Sequence, residues 1–405
     1  MLIEFSVENF KCFAEKQTLD MRPDPDITSL DENLIRTGLM DEAGDELVLL
    51  PSVAIYGANA SGKSSLVEAL YFYMYPLKLL RQTIQELKEP NARLKNGIKS
   101  YFNTTKPICF NSVEIYNIHK EIFLPPDQNV IEYKLKDVVS ISINSIENRA
   151  HYKTLPYSDK GWLEYQNKGY IENPPPKNTY RNHHGRRLFF LNEILDSLKA
   201  DDKGLIEETK YKQHPLIQLL LEEEKKLKIL NLLRKADFNI ESISINSLQY
   251  DSERTQYALQ FIHTGQSEVL YFNDQSEGTK KFLLIMPTIV HVLETGAVLL
   301  ADELEAHLHP DLCRAIIELF NNPETNPKGS QLIFTTHNQD FMAPNLMRPD
   351  QIYFVNKDQA TGASELYRAS DFEEFDWNSE TLTVRKAYHY GLLGSSPRVK
   401  RLTGE

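Results

Sequence analysis

Gly57-Ala58-Asn59-Ala60-Ser61-Gly62-Lys63-Ser64 is the stretch that decides the fold of this chain. It satisfies the pattern GxxxxGK[ST] at every defined position, and each residue type has a physical reason to be there. Glycine lets the backbone wrap closely, so that amide N–H groups turn inward toward phosphate oxygens. Lys63 is placed to reach the β- and γ-phosphates, and the Ser64 hydroxyl is a candidate ligand for Mg²⁺. The flanks agree with this reading. Upstream, the apolar runs at 47–50 and 53–56 read as strand and stop at Gly57. Downstream, LVEALYFYMYPLKLL is long enough for a helix, which Pro76 kinks or ends. A helix that starts at the loop adds the positive end of its dipole to the phosphate site.

Three later stretches supply the remaining chemistry. Val298-Leu299-Leu300-Ala301-Asp302-Glu303 is an apolar strand that ends in two acids. At the tip of a buried strand beside the loop, Asp302 is placed to hold Mg²⁺ through water, and Glu303 to orient or deprotonate the attacking water. Ser276-Glu277-Gly278-Thr279-Lys280 opens an apolar helix, with Ser276 lying 26 residues before Asp302. A serine and glycine at a helix start suit a phosphate, although a plain serine cap reads the same way. Phe334-Thr335-Thr336-His337 ends another apolar run, with His337 35 residues beyond Asp302. Its imidazole either senses a γ-phosphate by hydrogen bonding or is simply a polar strand end. The order of all four along one chain favours the functional reading.

The chain has 405 residues, enough for two or three structural units, and 41% hydrophobic residues, enough for a large core. Its net charge of −12 argues against general polyanion binding. Three scattered cysteines with no CxxC pair point to neither a disulfide framework nor a cysteine zinc site, which fits a reducing cytoplasm. The opening MLIEFSVENFKCF does not read as a signal peptide. No stretch approaches the roughly 20 apolar residues of a membrane span.

Alternation at 3–8 predicts a half-buried strand, and 108–143 reads as antiparallel strands. Pro174-Pro175-Pro176 marks a linker or exposed loop, and the apolar spacing from about 186 to 236 predicts helices. The charge run at 222–226 reads as a solvated helix face. Strand signals return after Asn239, a helix is expected from near Ser276, and 297–301 and 331–334 suit strands buried on both faces of a parallel sheet. A further strand is expected at 352–355. The expected organisation is α/β, in which 1–100 and 241–405 build a parallel-sheet core, 101–170 an antiparallel β region and 171–240 a helical insert, and with the motifs above it resembles a P-loop NTPase of ABC ATPase type.

Phosphate loop, serine–glycine signature, Asp-Glu strand and histidine, in that order, resemble the ABC-type ATPases, in particular the non-transporter branch of SMC, Rad-fifty and RecF-like proteins. Asn9-Phe10-Lys11-Cys12-Phe13 beside an N-terminal strand looks like the same branch. The run Ala301 to Pro310 (ADELEAHLHP), Lys235-Ala236-Asp237-Phe238-Asn239-Ile240 and Asp350-Gln351-Ile352-Tyr353-Phe354 are similar to the bacterial AAA15, or overcoming-lysogenization-defect-like, ATPases. Tyr390-Gly391-Leu392-Leu393-Gly394 with Pro397 is a looser match.

The resemblance implies that Gly57, Asn59, Gly62, Lys63, Ser64 and Ser65 hold ATP, with Ser64 and Asp302 on Mg²⁺. It implies Glu303 as the catalytic carboxylate and His337 as the switch histidine, with Lys63 also acting in catalysis. Ser276 and Gly278 would meet the γ-phosphate held by a second subunit, so a homodimer or higher homo-oligomer is implied. The signature reads SEGTK rather than LSGGQ, and neither Gln82 nor Gln85 is placed as a Q-loop glutamine.

The family commonly serves bacterial anti-phage defence, controlling a separate nuclease or toxin effector. The competing expectation is a RecF-like DNA-maintenance clamp, for which nucleic acid would be the partner. The cluster Arg181, His183, His184, Arg186 and Arg187 reads as a solvated loop or as a site for nucleic acid or an acidic partner. His307 and His309 follow the acid pair and are weak evidence for a metal.

Overall fold

A computed structural model describes residues 1–40, 44–74, 108–118, 132–144, 149–155, 163–168, 188–190, 205–209, 215–235, 239–249, 254–306, 308–377 and 382–394. In chain order the first elements are β1 (Leu2–Glu8), β2 (Gln17–Asp20), β3 (Ile35–Met40), β4 (Glu46–Leu49), β5 (Ser52–Tyr56) and α1 (Lys63–Met74). Then come β6 (Ile108–Ile118), β7 (Glu132–Asn144), β8 (Arg149–Leu155), β9 (Leu163–Lys168), β10 (Leu188–Phe190) and β11 (Leu205–Thr209). Helices α2 (Pro215–Leu221) and α3 (Glu223–Lys235) precede β12 (Ile240–Gln249), β13 (Arg254–His263) and β14 (Val269–Tyr271). The chain continues through α4 (Glu277–Thr295), β15 (Val298–Ala301), α5 (Pro310–Asn321) and β16 (Gln331–Thr335). It closes with β17 (Ile352–Lys357), β18 (Ser364–Arg368) and α6 (Val384–His389).

The central sheet has the order β10-β15-β16-β5-β17-β18, parallel throughout except for the antiparallel edge β18. Every residue of β5, β15 and β16 is buried, as the continuous apolar runs predict. The two-residue period of a strand then divides those side chains between two cores. Ala54, Tyr56, Leu299, Ala301, Leu332 and Phe334 face a layer with α4 and α5, among them Phe282, Ile285, Leu312 and Ile316. Val53, Ile55, Leu300 and Ile333 face α1 and the N-terminal strands, among them Leu66, Leu70, Phe5 and Val7. The P-loop NTPase expectation for the fold is met.

The antiparallel sheet runs β2-β1-β6-β7-β8-β9, so the N-terminal β1 and β2 share it with the strands of 108–168. A smaller antiparallel sheet joins β11, β13, β12 and β14. Two segments differ from the expected helices at 186–236. Residues 188–190 form β10, parallel to β15, and 205–209 form β11, antiparallel to β13. Short apolar runs carry no decisive period, and the available strand edge settled their state. Helices occupy α2 and α3, where Leu216, Leu220, Leu230 and Leu233 are buried while Leu227 is exposed. The 222–226 charge run forms helix-surface pairs, Lys225–Glu222 at 2.9 Å and Lys226–Glu223 at 3.1 Å. Pro174 to Pro176 lie outside the described residues.

Candidate functional site

The carboxyl ends of three neighbouring parallel strands, β15, β16 and β5, carry most of the sequence-expected residues to one edge of the sheet. After Tyr56 the chain turns through Gly57 to Gly62, and Lys63 opens α1. The two motif glycines are enforced sterically. At Gly57, φ is +155° and a Cβ would lie 2.4 Å from Val355 O and 2.5 Å from Ser61 Oγ. At Gly62, φ is +118° and a Cβ would lie 2.5 Å from Cys12 Sγ and 3.2 Å from Ser364 Oγ. Both are backbone states that L-residues rarely adopt.

The outside of the loop is braced by β18. Ser364 Oγ donates to Ser61 O at 2.6 Å, and Ser364 N donates to Cys12 O at 2.8 Å. Inside, Lys63 is buried and its ammonium donates to Gly57 O at 3.0 Å and Ala58 O at 3.2 Å. Burial lowers the Lys63 pKa, and the nearby charges of Glu303, Asp302 and Glu305 oppose that shift. Ser61 Oγ is buried against Gly57 and has no hydrogen-bond partner among the described residues. A lysine, an orphaned hydroxyl and close-wrapped backbone are the donor set a triphosphate needs. Asn59 and Ser64 are exposed, and Ser65 is half-buried.

The acids sit directly opposite. Ser64 Oγ donates to Asp302 Oδ1 at 3.1 Å, and Thr335 Oγ1 donates to the same oxygen at 2.7 Å. That threonine hydroxyl also accepts from Glu303 N at 2.7 Å. Glu303 is exposed, and its φ of +52° puts it in the left-handed region, a strained state for a residue with a side chain. A serine hydroxyl and a carboxylate brought to hydrogen-bond distance fit a small hard cation with oxygen ligands, as Mg²⁺ requires.

His337 follows β16, and its side chain is exposed beside the acids' strand. Its backbone N donates to Glu305 Oε1 at 2.5 Å. Tyr56, the last residue of β5, donates its hydroxyl to Asn338 O at 2.9 Å. Burial holds that phenol well above its ordinary pKa, and the Glu305 charge adds to the effect. Burial first and then the same carboxylate push the Cys313 thiol up to about 12. Arg385 of α6 pairs with Asp340 at 2.8 Å and so ties the C-terminal helix to the histidine loop.

Ser276 and Gly278 belong to another element, the start of α4. Ser276 is exposed and caps α4, accepting from Thr279 N at 3.1 Å with its Oγ 2.7 Å from Thr279 Oγ1. Gln275 beneath it is buried and lies 3.0 Å from His263 Nε2. Both of these Ser276 bonds stay within the 276–279 turn.

Thr335, Glu305, Cys12 and Ser364 were given no site role from the sequence, although Thr335, Glu305 and Cys12 lie inside stretches that were quoted. For Thr335 and Glu305 the signal is a polar residue at the end of an otherwise apolar strand or in the turn that follows it. His309 caps α5, with its Nδ1 accepting from Asp311 N at 3.4 Å. Among the described residues no group of three or more His, Cys, Asp or Glu side chains converges as a metal site. His307, Gln82, Gln85 and the cluster from Arg181 to Arg187 lie outside the described residues.

Residues 153–343 match a family model described as an AAA domain, putative AbiEii toxin, Type IV TA system. The matched span contains Ser276, Asp302, Glu303 and His337 but not the phosphate loop. No curated protein matches the sequence. Similar solved structures include an SMC head bound to the C-winged helix domain of ScpA, with 14% identity and a TM-score of 0.48 over 95% of this chain and 99% of that one. An SMC head with an extended coiled coil bound to the C-terminal domain of ScpA, from Pyrococcus furiosus, has 13% identity and a TM-score of 0.46 over 97% and 98%. The cbiO1 subunit of the cbiONQ ABC transporter complex from Clostridium perfringens has 12% identity and a TM-score of 0.32 over 97% and 95%.

Proposed function

We propose that this chain is an ATP-binding and ATP-hydrolysing switch that closes as a homodimer around nucleotide. The observation that carries the reading is the shared Asp302 oxygen, which accepts from both Ser64 at the phosphate loop and Thr335 on the neighbouring strand. That contact supports reading Asp302 as a metal-binding carboxylate, with its neighbour Glu303 beside the loop motif. In this reading Lys63, the loop amides and Ser61 hold the triphosphate. Ser64 and Asp302 would hold Mg²⁺, which would supply positive charge to the phosphates. Glu303 accepts a proton from the attacking water, and His337 donates a hydrogen bond to the γ-phosphate.

Ser276 and Gly278 act on the nucleotide of a second copy, as the serine–glycine signature of the ABC-type ATPases that the chain resembles implies. Nucleotide then joins two chains, and loss of the γ-phosphate loosens them. The family description naming a putative toxin of a type IV system supports a place in bacterial defence. The switch would be the sensor or regulatory ATPase, and a separate nuclease or toxin its effector. No helix among the described residues is long and apolar enough to cross a membrane.

The test is Glu303→Gln. We expect the wild type to hydrolyse MgATP and the variant to retain ATP while trapped as a dimer. The trapped dimer, pulled from its host, should carry the effector. Undiminished turnover removes Glu303 from its role, a monomer at saturating ATP overturns the shared site, and DNA as the sole co-purifying partner favours a RecF-like clamp.

A further inference from the structure

We propose that Glu305 is a positioning residue that fastens the backbone of His337, so that the turn carrying Asp302 and Glu303 and the loop carrying His337 move as one unit. The inference deepens the reading of this edge of the sheet as an ATP-hydrolysing centre and rests on it. Glu305 lies in the short turn Leu304–Ala306, directly after the acid pair. That turn is itself pinned to the pair, because Ala306 N donates to Glu303 O at 2.8 Å. From there the side chain crosses to the neighbouring strand, where Oε1 accepts the His337 amide at 2.5 Å. The two residues are 32 apart in sequence, so the bond joins separate elements.

What needs explaining is the second oxygen. Glu305 Oε2 is buried and has no hydrogen-bond partner among the described residues. Buried carboxylate oxygens are normally satisfied, and an orphaned one destabilises the fold. A neutral or apolar side chain would build the same turn without that penalty. A carboxylate here is accounted for by the bond it does make, since a charged acceptor holds a backbone N–H about twice as strongly as a neutral one.

The rest of the loop shows what this fastening achieves. Thr336 N donates to Ile55 O at 3.1 Å, and Asn338 O accepts from Tyr56 at 2.9 Å. Both of those anchors belong to β5, the strand that leads into the phosphate loop. Glu305 supplies the intervening anchor, and it comes from the acid pair's strand instead. The backbone at 336, 337 and 338 is thereby held from both sides, and the His337 imidazole is left exposed. A displacement of the Asp302–Glu303 turn is carried to the histidine through one hydrogen bond.

The experiment compares full-length wild type with Glu305→Ala, Glu305→Asp and Glu305→Gln. It reads amide hydrogen exchange at 336–338 together with kcat and KM for MgATP. Alanine removes the acceptor and aspartate withdraws it. Each should speed exchange at His337 and lower kcat by about ten- to a hundredfold, with KM changed by less than about threefold. Glutamine keeps an acceptor oxygen at the same reach but loses the charge, so both readouts should fall between wild type and alanine. If Glu305→Ala does not fold, the aspartate–glutamine pair decides the matter alone. Unchanged exchange at His337, a wild-type kcat in the alanine or aspartate variant, or a glutamine variant as slow as these, overturns the proposal. A wild type without MgATP turnover instead sinks the reading of the site, while the exchange measurements still decide whether Glu305 fastens the loop.

Discussion

Thr335 and Asp302 meet at the carboxyl edge of the parallel sheet, with the threonine hydroxyl donating to Asp302 Oδ1 at 2.7 Å. The same hydroxyl accepts from the backbone N of Glu303, so one side chain orients both acids. Thr335→Val keeps the β-branched shape of a fully buried position but takes from Asp302 Oδ1 one of its two hydroxyl donors, leaving Ser64, and takes the hydroxyl acceptor from Glu303 N. We expect MgATP turnover to fall by about tenfold or more, and Thr335→Ser to retain most of it. Steady-state kinetics on the two variants checks this, and a valine variant at wild-type rate would show that the acids are placed by something else.

Gly62→Ala should abolish nucleotide binding. The added Cβ would meet Cys12 Sγ at 2.5 Å while the backbone stays at φ +118°. Shrinking the neighbour relieves only the first problem, so Cys12→Ala in the same chain should not rescue it. Calorimetric titration with a non-hydrolysable ATP analogue separates the two effects. Full recovery in the double variant would mean that contact, and not backbone conformation, fixes the glycine.

The lowered pKa of Lys63 gives a pH signature. Its charged form binds phosphate, and burial makes that form less favourable than in solution. Nucleotide affinity should therefore weaken on the alkaline side, starting below the ordinary lysine range. Glu303 is the largest of the opposing influences, so Glu303→Gln should move the weakening to lower pH. The effect on folding has the opposite sense. Between the lowered value and 10.5 the unfolded chain binds more protons at this site, so Lys63 contributes stability that grows as pH rises. Analogue affinity measured against pH for the two proteins settles it, and superimposable profiles would sink the assignment.

Arg348 anchors the far edge of the same sheet. It is buried with Asp350, to which it donates at 2.9 Å, and it also reaches Asp31 and the carbonyls of Ile27 and Ser29. Arg348→Ala leaves Asp350 as an uncompensated buried charge and should destabilise the protein by about 3–5 kcal/mol. Removing both charges together, as Arg348→Met with Asp350→Asn, should lose less than the single change. Urea denaturation of the three proteins measures it. Equal losses would show that the two charges are not coupled.

The legible part of this molecule was the part with a repeating physical cause. Continuous apolar runs at 297–301 and 331–334 foretold doubly buried strands, and Ser276 foretold a helix start that the structure places at Glu277. The phosphate loop was legible because its glycines are needed by sterics that leave a mark in sequence. Thr335 and Glu305 were not, because their roles depend on which strands are neighbours, and strand order is not written in local periodicity. For the same reason 188–190 read as helix: three apolar residues say nothing about the β15 edge beside them.

Ser276 is the residue on which the shared-site reading turns. In its own chain its hydroxyl caps α4, so Ser276→Ala should cost about 0.5–2 kcal/mol of stability through the lost cap. A separate role at a partner's nucleotide needs a different test. Ser276→Arg should block turnover while leaving ATP binding to the same chain intact, because the phosphate loop is untouched. Lys63→Ala should lose ATP binding, and turnover with it, while leaving its own signature intact. In an equal mixture, about half of the dimers carry one of each chain, and each of those has one site with both an intact loop and an intact signature. Turnover should recover to about a quarter of the wild-type level. Two inactive proteins that stay inactive when mixed, despite forming mixed dimers by native mass spectrometry, would confine the reaction to a single chain.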